Sequence, residues 1–330
     1  MKKVFLTIFV ISFSISALGF AYFLIGIPKP AKNVEYGATF APTVARGYGL
    51  DPKETLQAIL DDLGIRKFRL IAFWDEIEKE KGTYDFSDLD WQIEAVSQNN
   101  GEIILAFGQK APRWPECHLP DWAWKVSEQE RQEKVLVLIK TIINRYQDNP
   151  SIKIWQVENE PFFFQSFGHC PRQDSKFLDR EIALARSLDK KPVMLTSSGE
   201  MSLWIGEYGR GDIFGTSLYK YVYNRFFGYI KYRIPAIFYQ RKVALLKLIF
   251  GNKPIIVSEL QAEPWIHGDE IKTSSPEIIR RTMSPEKLTE IINYSKKCGF
   301  TENYFWGVEW WYWLKQNGDA TYWEMVKELF

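Results

Sequence analysis

From residue 35 onward the chain alternates between two kinds of hydrophobic pattern. Short apolar runs such as Ile103, Ile104, Leu105, Ala106, Phe107 and Ile255, Ile256, Val257 alternate with longer stretches whose apolar residues recur every three or four positions. The first kind suits strands covered on both faces, and the second suits amphipathic helices. Strands are predicted over 35–40, 67–72, 102–107, 152–157, 192–197, 212–217, 254–259 and 303–308. Helices are predicted over 52–63, 127–146, 174–188 and 285–298. Asp51 before Pro52 and Ser284 before Pro285 have the chemistry of helix starts, and Gly64 and Gly299 that of helix ends. Eight strand-helix units in about 300 residues predict one closed (β/α)8 barrel, an α/β fold, rather than an open doubly wound sheet. The fragment Gly47, Tyr48, Gly49 lacks the third glycine of a dinucleotide-binding turn and reads as loop punctuation.

The first residues follow neither pattern. Lys2 and Lys3 precede a run from Val4 to Ile27 without a charged residue. That length spans the roughly 30 Å hydrocarbon layer of a bilayer as a helix, and it exceeds the usual apolar part of a cleaved signal peptide. The expected organisation is therefore a signal anchor over 1–27 with a transmembrane helix over 4–27, a linker over 28–34 stiffened by Pro28 and Pro30, and the (β/α)8 domain over 35–330. With Lys2 and Lys3 inside, the domain is expected outside the cytoplasm, anchored to the membrane, or secreted if the segment is cleaved.

In such a barrel the working residues stand at the C-terminal ends of strands. Two strand ends carry abrupt polar groups: Glu158, Asn159, Glu160, Pro161 after the fourth strand, and Ser258, Glu259 at the end of the seventh. The two glutamates Glu160 and Glu259 are three units apart, so closure faces them across the mouth. A pair of carboxyls about 5 to 5.5 Å apart is what a retaining glycosidase requires. Glu158 and Glu263 compete with them and otherwise read as solvated loop charges.

The run W-Q-V-E-N-E-P from Trp155 to Pro161 resembles the Asn-Glu-Pro motif of the clan A retaining glycoside hydrolases, the superfamily of cellulases, β-galactosidases and β-mannanases. R-L-I-A-F-W from Arg69 and K-G-T-Y-D-F-S-D-L-D from Lys81 are similar to the second-strand region of family 5, 39 and 42 enzymes. The resemblance implies a retaining hydrolysis of O-glycosidic bonds in a β-linked oligo- or polysaccharide, with Glu160 as acid/base and Glu259 as nucleophile. It also implies that Arg69 pairs with a carboxylate, that Asn159 meets the sugar 2-hydroxyl, that Tyr219 bonds the nucleophile, and that Trp306 forms an aromatic floor. Many relatives carry a histidine after strand three, where this chain has Gly108, Gln109 and Lys110. A catalytically inactive, glycan-binding barrel is the alternative reading, and a Schiff-base enzyme would need a lysine such as Lys220 inside the barrel.

Charge and cysteines narrow the rest. Forty-two Lys and Arg against 41 Asp and Glu leave no electrostatic reason to expect nucleic acid. The loop histidines His118, His169 and His267 show no ligand spacing, so neither a metal nor a cofactor is expected. Cys117 and Cys170 fall in neighbouring loops on one rim and are expected to pair in an oxidising compartment, whereas Cys298 sits in an apolar helical pattern and reads as a buried side chain.

Overall fold

The computed structural model describes residues 5, 19, 21–163, 168–171, 173–267 and 270–330. Eight parallel strands close into a barrel: β1 (Glu35–Thr39), β2 (Lys67–Ile71), β3 (Glu102–Phe107), β4 (Ile152–Val157), β5 (Val193–Ser197), β6 (Ile213–Leu218), β7 (Ile255–Gln261) and β8 (Glu302–Trp306), with β8 pairing β1. Around it lie α1 (Pro52–Asp61), α2 (Ser87–Gln98), α3 (Glu128–Tyr146), α4 (Ser175–Leu188), α5 (Ile205–Arg210), α6 (Ala236–Phe250), α7 (Pro285–Cys298), α8 (Val308–Gln316) and α9 (Thr321–Lys327).

The helix starts follow local chemistry. The Asp51 carboxylate accepts from the amides of Lys53 and Glu54, and the Ser284 hydroxyl accepts from Lys287 N. Each satisfies donors that the first helical turn leaves without partners. Gly299 closes α7 at φ 89°, a left-handed conformation that a side chain would disfavour.

Strand alternation sorts the side chains. Outward residues such as Phe68, Leu70, Leu105, Val257 and Phe305 pack under the helices in one large core. Inward residues fill the barrel in layers. At the bottom, Lys67 reaches Glu35, Glu102 and Glu302. Above it lies an apolar layer of Ile104, Ile154, Met194, Ile213, Ile256 and Tyr304. Arg69, two residues beyond Lys67 on the same face, opens the polar top layer.

The stretch 219–250 divides in two. A hairpin of Tyr221–Asn224 and Gly228–Lys231 stands at the rim, and α6 is a helix of the outer layer. Apolar residues surround α6 on every side, so no amphipathic stripe announced it.

The expected transmembrane span 4–27 lies outside the described residues except for Phe5, Gly19 and 21–27. Among the described residues no helix is long and apolar enough to cross a membrane. Residues 21–27 run against α6, where the Phe23 ring lies 5.9 Å from that of Phe238. Cys117 and Cys170 form a disulfide that ties the loops after β3 and β4 together, and Cys298 is free and buried.

Candidate active site at the barrel mouth

Arg69 organises the top layer. Its guanidinium is fully buried and donates to four groups: Gln156 Oε1 at 2.8 Å, Ser258 O at 3.3 Å, Glu259 Oε1 at 2.9 Å and Asn159 Oδ1 at 2.7 Å. One planar fork thereby fixes side chains from β4, β7 and the loop after β4.

Glu259 owes its direction to a bulge. Regular alternation would turn Ser258 inward with Ile256 and leave Glu259 outside. The β6–β7 register slips, pairing Thr216 with Val257 but Ser217 with Glu259, and an extra residue of this kind re-aims the side chains that follow. The strand also runs past Glu259 to Gln261 rather than ending there. The second carboxylate oxygen accepts from Tyr219 OH at 3.2 Å. Burial and the Glu259 charge push the Tyr219 phenol well above its ordinary pKa, so it stays a neutral donor.

Glu160 reaches the mouth by a different device. Glu158 and Glu160 have φ of 56° and 45°, left-handed values uncommon without glycine. The backbone therefore coils rather than alternates after Val157. Glu160 N donates to Thr196 Oγ1 at 2.9 Å, and the Lys110 ammonium donates to Glu160 O at 3.1 Å. Its carboxyl receives a hydrogen bond from Ser217 Oγ at 3.0 Å. Burial first, and the Glu259 charge second, raise its pKa to about 8. Neither glutamate is sealed off, with 8% of Glu160 and 7% of Glu259 exposed.

Asn159 Oδ1 accepts from Arg69, from Thr196 Oγ1 at 3.1 Å and from Gln156 Nε2 at 3.3 Å. With the oxygen so occupied, the amide NH2 is the end left for a ligand. Trp306 is inward on β8, as alternation from Tyr304 requires, and partly exposed. The Arg113 guanidinium lies 3.9 Å from its ring centroid.

The rival carboxylates are not solvated. Glu158 is 1% exposed, and its two oxygens accept the amides of Gln109 at 2.8 Å and Lys110 at 2.7 Å. It braces the loop after β3. Glu263 bonds Arg113 at 2.8 Å, and Arg113 also holds Glu309 at 2.8 Å. Lys220 lies near Glu290 and over the Tyr294 ring. Among the described residues no cluster of histidines, cysteines and carboxylates could hold a metal.

Arg113, Ser217, Thr196 and Gln156 were absent from the sequence reading. Gln156 had a signal, since it shares the inward face of β4 with Ile154. Arg113 had none, because it reaches Glu263 and Glu309 from a loop.

The family model for a glycoside hydrolase family 42 β-galactosidase matches residues 53–136. β-Galactosidase BgaA of Clostridium cellulovorans is 27% identical over 190 residues, 51% of this chain and 29% of that protein. β-Galactosidase LacZ of Lactobacillus acidophilus is 30% identical over 138 residues, 36% of this chain and 20% of that one. The chain thus spans under a third of either relative. An exo-β-1,4-mannosidase from an Opitutaceae bacterium superposes with a TM-score of 0.59 at 13% identity, covering 87% of this chain and 54% of that one. A GH5_18 protein from Streptomyces cattleya gives 0.57 at 12%, covering 84% and 70%. These structures share the barrel fold. Taken with the motifs above, the matches support a clan A glycoside hydrolase. Within that superfamily its sequence is similar to the family 42 β-galactosidases over part of its length.

Proposed function

We propose that this protein hydrolyses a β-linked glycoside with net retention, using Glu259 as nucleophile and Glu160 as acid/base. The observation that carries the reading is the contrast between two carboxyls at one opening. Arg69 and Tyr219 both donate to Glu259, whereas Glu160 is desolvated beside a like charge and keeps its proton to about pH 8. Divergent environments of this kind divide acid from base.

In the first step a Glu259 oxygen bonds to the anomeric carbon as the glycosidic C–O bond breaks. Glu160 delivers its proton to the departing oxygen. The Glu259 charge is consumed in the ester, so the Glu160 pKa falls and the carboxylate can take a proton from water. That water attacks the same carbon from the face the leaving group left, Glu259 is released, and Glu160 is protonated again. Asn159 offers its amide NH2 to the 2-hydroxyl, and Trp306 presents its uncovered surface to the C–H face of the sugar. No metal or cofactor takes part.

The names of the relatives make a β-galactoside the first substrate to try, within a panel of β-linked glycans. We also propose that the uncharged run 4–27 tethers the barrel to a membrane, outside the cytoplasm. Turnover of an aryl β-glycoside, with the first-formed anomer followed by NMR, tests the mechanism. Glu259→Gln should abolish turnover. Glu160→Gln should spare substrates whose leaving group needs no proton and cripple the rest. Undiminished rates in both variants would refute the assignment, and tight glycan binding without turnover in the native protein would make the barrel a binding module.

A further inference from the structure

Positive and negative charges nearly cancel over the whole chain, but not everywhere along it. Between Asp212 and Glu259 there are eight lysines and arginines and no acid. This stretch builds the rim hairpin and α6, and it also bears much of the exposed large apolar surface. At the hairpin tip Phe226 and Phe227 are 83% and 78% exposed, and the neighbouring Arg225 and Arg233 are exposed as well.

On α6, Phe238, Arg241, Leu245 and Leu248 follow one another at spacings of three and four and therefore share a stripe. The first half of the stripe is covered by the chain's own N-terminal residues. Phe23 packs on Phe238, and the Arg241 guanidinium lies 4.5 Å from the Tyr22 ring centroid and donates to the Tyr22 carbonyl. The second half is bare, with Leu248 82% exposed and Ile249 beside it also exposed. The covering residues are the last ones of the uncharged run 4–27. Two residues of chain reach at most about 7 Å, so a bilayer that takes in residue 20 comes within that distance of Tyr22, whose carbonyl Arg241 of α6 holds.

We infer that the hairpin tip and the bare half of the α6 stripe form a docking face for an anionic lipid bilayer. The face lies on the membrane beside the point where the N-terminal segment enters it. The apolar side chains enter the boundary between headgroups and acyl chains, and the surrounding cations meet anionic headgroups. The aromatic tip packs on no core, and although Lys220 and Lys231 pair with Glu290 and Lys242 and Lys253 donate to backbone carbonyls, Arg225, Arg233 and Lys247 stand exposed. Docked this way, the rim that carries Tyr219, two residues before the hairpin, stands at the headgroup layer. The inference takes its geometry from the proposed tether, but its test does not depend on that tether.

The test uses the full chain with single substitutions Phe227→Cys, Leu248→Cys or, on the opposite flank of the barrel, Glu94→Cys. Each is labelled with a fluorophore and mixed with vesicles of phosphatidylcholine and phosphatidylglycerol whose acyl chains are brominated. Labels at 227 and 248 should be quenched several-fold more than the label at 94, and less in vesicles without phosphatidylglycerol. Equal quenching at all three positions would overturn the docking face. So would protection of labels 227 and 248 without vesicles that grows with protein concentration, which would assign the face to a second copy of the chain. Flotation after alkaline extraction reads the tether separately. A chain that is washed off yet quenched at 227 and 248 loses the tether and keeps the docking face.

Discussion

Two buried arginines, one on a strand and one on a loop, organise opposite sides of the same opening. Arg69 meets a single carboxylate, Glu259, and otherwise neutral acceptors on Gln156, Asn159 and Ser258. Arg113 meets two carboxylates, Glu263 and Glu309, and stacks on Trp306. Burial pushes both of Arg113's partners above the usual carboxylate pKa. Around Arg69 one cation meets one carboxylate, Glu259, which is aimed at the opening beside Glu160, whose pKa burial and the Glu259 charge raise. Around Arg113 the acids outnumber the cation, and both are consumed in holding the loop after β3 across to β7 and β8. Under the proposed mechanism, the arginine that serves chemistry leaves an acceptor facing the opening, whereas the one that serves as a clasp bonds its acids across the rim.

The largest effect expected from this contrast is on turnover. Arg69→Met leaves Glu259 buried beside Glu160 without its cation, and kcat/KM should fall by roughly a thousandfold, the scale seen when one preorganised partner of a reacting charge is removed. Arg69→Lys should recover only part of the loss, because an ammonium cannot reproduce the fork. Steady-state kinetics on an aryl β-glycoside checks both. If Arg113→Met costs as much in kcat as Arg69→Met, the division into chemistry and clasp is wrong.

The pH profile comes next. In the proposed mechanism Glu160 acts as an acid only while protonated, so kcat/KM should fall about tenfold per unit on the alkaline side, with a midpoint near its value of about 8. The sign for stability follows from the same shift. The folded state binds this proton more tightly than the unfolded chain, so its contribution is complete below the ordinary glutamate value and is lost as pH rises through about 8. Glu160→Gln should remove that component from a pH series of thermal melts. Arg113→Met should leave the alkaline midpoint of the rate in place, since the Glu160 pKa is raised first by burial and then by Glu259, and Arg113 is not among the groups that shift it.

How much of this was legible depends on whether a residue obeys alternation. Arg69 and Trp306 lie inward two residues from Lys67 and Tyr304, and strand periodicity carries them there. Glu259 faces the opening only because of the bulge at Ser258, which period-two counting misses; the polar end of an apolar run and the resemblance, not alternation, pointed to it. The resemblance set Glu160 above Glu158, but the physical reason, backbone coiling at positive φ, was not legible. Arg113 was invisible because it acts at a distance of 150 residues from Glu263 and 196 from Glu309. The barrel itself was legible almost strand for strand, since both-face burial writes continuous apolar runs, and α6 was hidden for the same reason.

Stability separates the Arg113 side of the opening from the Arg69 side. Arg113→Met leaves Glu263 and Glu309 buried with no cation, a loss on the order of 3 to 5 kcal/mol when one partner of a buried pair is removed. Chemical denaturation should show it, and the variant should destabilise further as pH rises, because both acids then ionise without a partner. A stability change within error would mean that the loop does not depend on the clasp.

The smallest effect concerns the glutamate nearest to Glu160 in sequence. Glu158 differs from it in having both oxygens filled by backbone amides of the loop after β3. Glu158→Gln replaces one acceptor by an NH2 that faces an amide N–H, so one of the two donors at Gln109 and Lys110 loses its bond. An unmade buried hydrogen bond costs about 1 to 3 kcal/mol, read as a lower denaturation midpoint. Because the loop also bears Arg113 and the Cys117 to Cys170 bridge, its path across the mouth should hold, and kcat should stay within about threefold of the native value. A much larger fall in kcat with unchanged stability would move Glu158 from the brace to the chemistry and reverse the roles of the two glutamates.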